Sequence, residues 1–101
     1  MWFRVLDRGR EKVSDTWDTL GHAFFHAAQR GAEAGLPICG LLSRHDDLWL
    51  NRLQLPMFAR ELEEILATPC LVDGAEGTVR EVLQASRHAA AANGYLLIVG
   101  E

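Results

Sequence analysis

His22 and His26 stand four residues apart in the run Gly21-His22-Ala23-Phe24-Phe25-His26. On a helix that spacing puts two imidazoles on one side, where they can share a metal ion. A third ligand would come from His45, Asp46 or Asp47 in the polar run Ser43-Arg44-His45-Asp46-Asp47. The pattern departs from the zinc helix H-E-x-x-H, because Ala23 stands where that motif carries its glutamate. Two histidines at the boundary between core and solvent account for the same spacing without a metal. Cys39 and Cys70 add no ligand framework, since there is no C-x-x-C; both sit in apolar settings and are expected as buried, reduced thiols. No stretch reaches the specificity of a catalytic signature. No catalytic residue is therefore assigned and no cofactor is expected, and a small metal-dependent enzyme built on His22, His26 and His45 is the least favoured reading.

The remaining charged and amide residues suit recognition better than catalysis. The candidate partner-binding residues are Asp46, Asp47, Asn51, Arg52, Glu61 and Glu64, with Glu63 beside them. The 101 residues carry a net charge of -4, which argues against a nucleic-acid partner, since such binding needs clustered positive charge. An acidic chain can instead mask a basic protein surface by complementary charge, as immunity and antitoxin proteins do. Arg4, Arg8, Arg10 and Lys12 form the one basic cluster, read as a solvated edge or as a docking patch for an acidic group. Asn51 and Gln54 can equally serve the backbone where the chain enters a helix.

The elements that must position these residues follow from period and punctuation. Trp2–Asp7 alternates and is rich in β-formers, so it is read as a strand, and Asp7-Arg8-Gly9-Arg10 as a turn. From Asp15 to about Arg30, Trp17, Leu20, Phe24 and Ala28 fall on one helical face, with Ser14 or Asp15 as the cap. Leu36–Leu42 is an apolar run of strand length. Leu48–Leu53 alternates briefly, as a very short strand or turn would. Pro56 to about Ala67 is a helix with Leu62, Ile65 and Leu66 on one face and Glu61, Glu63 and Glu64 on the other. Thr78-Val79-Arg80-Glu81 has capping-box form, with an earlier start on offer between Asp73 and Glu76, and this third helix ends at Asn93-Gly94. Tyr95–Val99 reads as a central strand buried on both faces or at an interface.

At 49% hydrophobic and 24% charged, the composition is that of an ordinary globular domain. The expectation is one α+β domain over 1–101, with three or four strands packed against three helices. The N-terminal strand, the Leu36–Leu42 run and the C-terminal strand form the expected sheet, the last pairing with the first. No run is long and apolar enough to span a membrane, so a cytoplasmic location and no membrane partner are expected.

Asp46-Asp47, Leu50-Asn51-Arg52-Leu53-Gln54 and the closing Tyr95-Leu96-Leu97-Ile98-Val99-Gly100-Glu101 resemble a set of small actinobacterial proteins without an established activity. The resemblance implies a bacterial, cytoplasmic protein and carries over no catalytic residue. Taken together, these features point to a non-enzymatic protein-interaction module of immunity or antitoxin type. The alternative is a homodimeric or accessory subunit with Trp2, Phe3 and Tyr95 near the contact, so that the partner is another protein or a second copy.

Overall fold

β1 (Trp2–Leu6) is the strand on which the sheet is built in the structure, a computed structural model that describes residues 1–100. It pairs antiparallel with β2 (Lys12–Trp17) on one side and with β4 (Tyr95–Val99) on the other. β3 (Leu48–Leu50) adds to the far side of β4, giving a four-stranded antiparallel sheet in the order β2-β1-β4-β3. Four helices complete the α+β fold: α1 (Ala23–Glu33), α2 (Leu55–Ala67), the single turn α3 (Pro69–Val72) and α4 (Glu76–Ala91). None is long and apolar enough to cross a membrane.

The helices share one core with one face of the sheet. Phe3 and Val5 of β1, Leu50 of β3, and Leu96 and Ile98 of β4 meet Phe24, Phe58, Leu62, Ile65, Val79 and Val82 there, all essentially fully buried. Phe3 and Phe24 pack edge to face with ring centres 4.9 Å apart. Each such side chain contributes about 1.5–3 kcal/mol through burial. That core is the main source of stability. The close approach of α4's exit to β1 requires a glycine: a Cβ on Gly94 would overlap the Leu6 carbonyl oxygen.

The sequence and the structure part in several places. The stretch Asp15–Trp17, expected in a helix, lies in β2, where Asp15 pairs with Arg4, Thr16 with Phe3 and Trp17 with Trp2. Val13, Thr16 and Trp17 suit a pleated strand, and the Asp7 turn folds them straight back on β1. α1 therefore starts later, with His22 at its N-cap position, and Asp18 reaches in from before the helix to serve its first amides. One carboxylate oxygen of Asp18 accepts the Thr19 and Phe24 amides at 2.8 and 2.9 Å, and the other accepts the Phe25 amide at 3.1 Å.

The second departure is the run Leu36–Leu42, which is no strand. It is a turn followed by a 3₁₀ turn, Cys39–Leu41. Two of its amides go to a side chain from α2: Glu61 accepts N–H bonds from Ile38 at 3.0 Å and Cys39 at 2.9 Å. Glu61 is only 7% exposed, so this carboxylate takes the place of the sheet neighbour that a buried strand would need. The third helix takes the earlier of its two expected starts. Asp73 (φ 31) and Gly74 (φ 83) turn the chain in left-handed geometry, and α4 begins at Glu76. β4 has a buried inner face and a half-buried outer one instead of two buried faces.

Of the two thiols, Cys39 is buried as expected, whereas Cys70 on α3 is exposed. Burial, reinforced by the neighbouring Glu61 carboxylate, pushes the Cys39 thiol far above its ordinary range. The protonated thiol thus favours the folded state fully below the ordinary thiol pKa of about 8.5, and this contribution is lost as pH rises from there toward the folded value. With a thiol reagent at mildly alkaline pH, one equivalent is expected to react at once, at Cys70, and the second only after denaturant is added. Rapid modification of both thiols in the native state would contradict this. Glu61→Ala leaves two buried amides without an acceptor and is expected to cost about 3 kcal/mol, read as a fall in the urea midpoint.

Candidate functional site

Residues that alternate with the core set on the same strands make a second surface. From β1 come Trp2, Arg4 and Leu6; from β2, Trp17 and Asp15; from β4, Tyr95, Leu97 and Val99; from β3, Trp49. Apart from Leu6, which is itself buried, these residues lie outside the core shared by the helices. Strand alternation dictates this outcome, because residues one apart on a pleated strand point to opposite faces. The face is rich in apolar area that neighbouring groups cover only in part. Trp17 is 60% exposed and Trp49 49%, values far outside those of core aromatics.

Register sorts the outer face into three rows. At one end Trp17, Trp2 and Val99 lie side by side, the two indoles with ring centres 5.4 Å apart. In the middle row Asp15, Arg4, Leu97 and Trp49 cross the sheet. Arg4 donates from Nε to Asp15 Oδ1 at 2.9 Å and from Nη2 to Oδ2 at 3.3 Å, while Lys12 Nζ stands 3.2 Å from Oδ2. The Arg4 hydrogen bond, helped by Lys12, holds the Asp15 carboxyl below the usual carboxylate range. The Arg4 guanidinium also lies 4.8 Å from the centre of a Trp2 ring. At the other end are Leu6 and Tyr95. Tyr95 meets Trp49 edge to face at 6.3 Å, and the Arg10 guanidinium stands 5.4 Å from the Tyr95 ring centre.

The described residues singled out for metal binding do not gather into a ligand set. His22 lies ahead of α1 in left-handed geometry (φ 55), so the shared helix face assumed for His22 and His26 does not form. Its Nε2 is 3.2 Å from Arg44 Nη2, which puts a guanidinium where a cation would have to sit. His26 Nδ1 lies 3.4 Å from Gln29 Oε1, and the His45 amide donates to Ser43 Oγ at 3.2 Å. Among the described residues, no three or more His, Cys, Asp and Glu side chains are grouped to hold a metal ion.

The partner-binding candidates also divide. Asp46 and Asp47 lie beyond the Val99 end of the sheet, where Asp47 Oδ1 accepts the Gly100 amide at 3.2 Å. Glu61 is turned inward and cannot contribute to a docking surface. Glu63 is engaged by Arg87, with 2.6 Å between Oε1 and Nη2, and Glu64 is exposed on α2. The acidic helix face expected on α2 is thereby reduced. Asn51 and Arg52 lie beyond the Tyr95 end. Asn51 Oδ1 accepts the Leu53 and Gln54 amides at 2.9 and 3.2 Å, a local backbone service that starts α2. Arg52 instead shares a cavity with Arg8 and Tyr95.

Two groups of residues went unnoticed in the sequence: Trp17 as a sheet residue, and Arg8 and Arg10 as neighbours of Arg52 and Tyr95. The signal was present in the alternating Lys12–Trp17 stretch directly after a Gly-containing turn, which is the pattern of a hairpin. In that hairpin the Arg10 amide bonds the Asp7 carbonyl, the Asp7 amide bonds the Glu11 carbonyl, and Arg10 itself is left-handed (φ 63). Glycine is the residue this position favours. Arg10→Gly is therefore expected to keep the fold and raise stability by about 1 kcal/mol, seen as a higher urea midpoint; a lower one would show that the guanidinium holds the hairpin together. No protein-family model matches the chain, and no curated protein or solved structure shows significant similarity to it.

Proposed function

We propose that this chain is a non-enzymatic protein-interaction module whose docking surface is the outer face of the sheet, and that a second copy of the chain docks there. The observation that carries the reading is the placement of Trp2, Trp17, Trp49, Tyr95, Leu97 and Val99 on a sheet face outside the helix-covered core. A contiguous apolar face of this kind is what protein interfaces bury, and aromatic side chains are their usual anchors.

Charge selects the occupant. Beyond the Tyr95 end of the strands stand Arg8, Arg10 and Arg52, and beyond the Val99 end stand Asp46 and Asp47. A two-fold axis lying between two such faces and across their strands sets the basic end of each copy over the acidic end of the other. The middle row brings its own neutral pair, Arg4 with Asp15, so no unpartnered charge is forced into the contact. A partner of immunity or antitoxin type is less well supported, because Glu61 is buried and Glu63 is paired.

Sedimentation velocity from low micromolar to near-millimolar protein tests this. The wild-type chain is expected to reach a dimer, and Trp17→Glu or Trp49→Glu to remain monomeric with a urea midpoint close to wild type. A wild-type monomer throughout, or a dimer indifferent to both substitutions, would overturn self-docking. A monomer that binds a different protein only when Trp17 and Trp49 are intact would transfer the face to that protein.

A further inference from the structure

The Tyr95 end of the sheet holds two adjoining cavities that share Asn51 and Tyr95. The larger, about 520 Å³, is lined by Arg8, Arg52 and Asn93 among others; the smaller, about 280 Å³, by Arg10 and Trp49. Their joint size suits a small molecule. Among the described residues, no carboxylate lines either one. Elsewhere in the fold Arg4 and Arg87 are paired with acids, and Arg30 donates to the Leu71 and Val72 carbonyls at 2.8 and 3.2 Å. Arg8, Arg10 and Arg52 have no such partner among the described residues; Arg10 meets only the face of Tyr95.

We propose that these joined cavities bind a small ligand that combines a flat aromatic ring with a phosphate, the chemistry of a nucleoside monophosphate. The smaller cavity is the ring subsite. Tyr95 and Trp49, set edge to face, give it aromatic walls, and the Arg10 guanidinium supplies a planar cation against which a base can stack. The larger cavity is the phosphate subsite. Arg8 and Arg52 bring guanidinium forks suited to a phosphate, and Asn51 has its oxygen committed to the Leu53 and Gln54 amides, so its side-chain nitrogen is left to donate. The backbone of Arg10 agrees with this assignment, because a residue held in left-handed geometry where glycine is favoured carries its side chain at a cost in stability.

The positive charge stops there. Along the sheet Arg4 and Lys12 are both engaged by Asp15, so the guanidinium groups form a compact cluster and no track for a polymer. The site lies at the rim of the docking face and does not rest on self-association. Trp49 and Tyr95 belong to the aromatic centre of both surfaces, whereas Arg8 and Arg52 enter the docking contact only through its charged rim, so Arg8 and Arg52 are the residues to change.

The test is calorimetric titration of the full chain with the four common ribonucleoside monophosphates. Adenosine, ribose 5-phosphate and inorganic phosphate probe the two halves separately, and tryptophan fluorescence, compared between wild type and Trp49→Phe, reports on Trp49. At least one monophosphate is expected to bind tenfold or more tightly than either half and to change the fluorescence. Arg8→Ala and Arg52→Ala are expected to weaken it about tenfold each, as loss of one charge-assisted bond does. Arg10→Gly should weaken the monophosphate and leave phosphate binding unaltered. The proposal is overturned if no monophosphate binds, if inorganic phosphate binds equally well, or if the folded arginine variants bind like wild type. A short single-stranded oligonucleotide binding more tightly than its monomer would overturn the small-ligand assignment as well.

Discussion

Every strand in this fold has to satisfy two surfaces at once, because all the large helices share a single core with one side of a four-stranded sheet. β1 shows the constraint most directly. Phe3 and Val5 must be apolar and nearly inaccessible for the core to close, and Trp2, Arg4 and Leu6, one residue out of step, are thereby committed to the other side. A shift of register by one would exchange the two sets and empty the core. The outer face is in that sense a geometric consequence of building the inner one. What is specific to this sequence is that the outer positions hold aromatic and aliphatic side chains instead of the polar ones expected of a solvated face.

A buried carboxylate performs the second structural task. Glu61 reaches from α2 to the amides at the start of the 3₁₀ turn and fixes a segment that belongs to neither the sheet nor a helix of any length. Charged groups are rarely this inaccessible, and those that are need hydrogen-bond partners to offset the loss of water. Here the partners are two backbone donors that would themselves be orphaned without it. The arrangement links α1, which packs on the same turn, to α2 through polar contacts inside a largely apolar core.

How far the sequence revealed these features depended on whether the information was local. α2 was legible almost to the residue, because Pro56 and the apolar stripe lie within the element and Pro69 stands just beyond its end. β4 and its pairing with β1 were legible from a continuous apolar run bounded by Asn93-Gly94. β2 was not, since Trp17 falls in helical spacing with Leu20, Phe24 and Ala28 as well as in the alternation of a strand, and only the partner strand decides between them. The Leu36–Leu42 run misled for the complementary reason: its hydrogen-bond acceptor lies on a different element and leaves no mark in the run itself. The same limit applies to the site. Asn51 and Arg52 stood out as polar residues in an apolar neighbourhood, but nothing local to them shows that the β1–β2 turn brings Arg8 and Arg10 alongside.

The central pairing of β1 with β4 joins residues 2–6 to residues 95–99, whereas β1 and β2 meet through a turn of a few residues. Folding therefore has a built-in order. The hairpin can form early from its own sequence, but its inner face has no core until nearly the whole intervening chain has condensed and β4 arrives. During that interval the hairpin presents both its faces, Trp2 and Trp17 on one and Phe3 and Val5 on the other, beside an unsatisfied edge where β4 belongs. The chain is most open to mispairing with other copies while it is still incomplete, and the arginines at the tip of that hairpin, Arg8 and Arg10, supply like charges that discourage such encounters before the fold has closed.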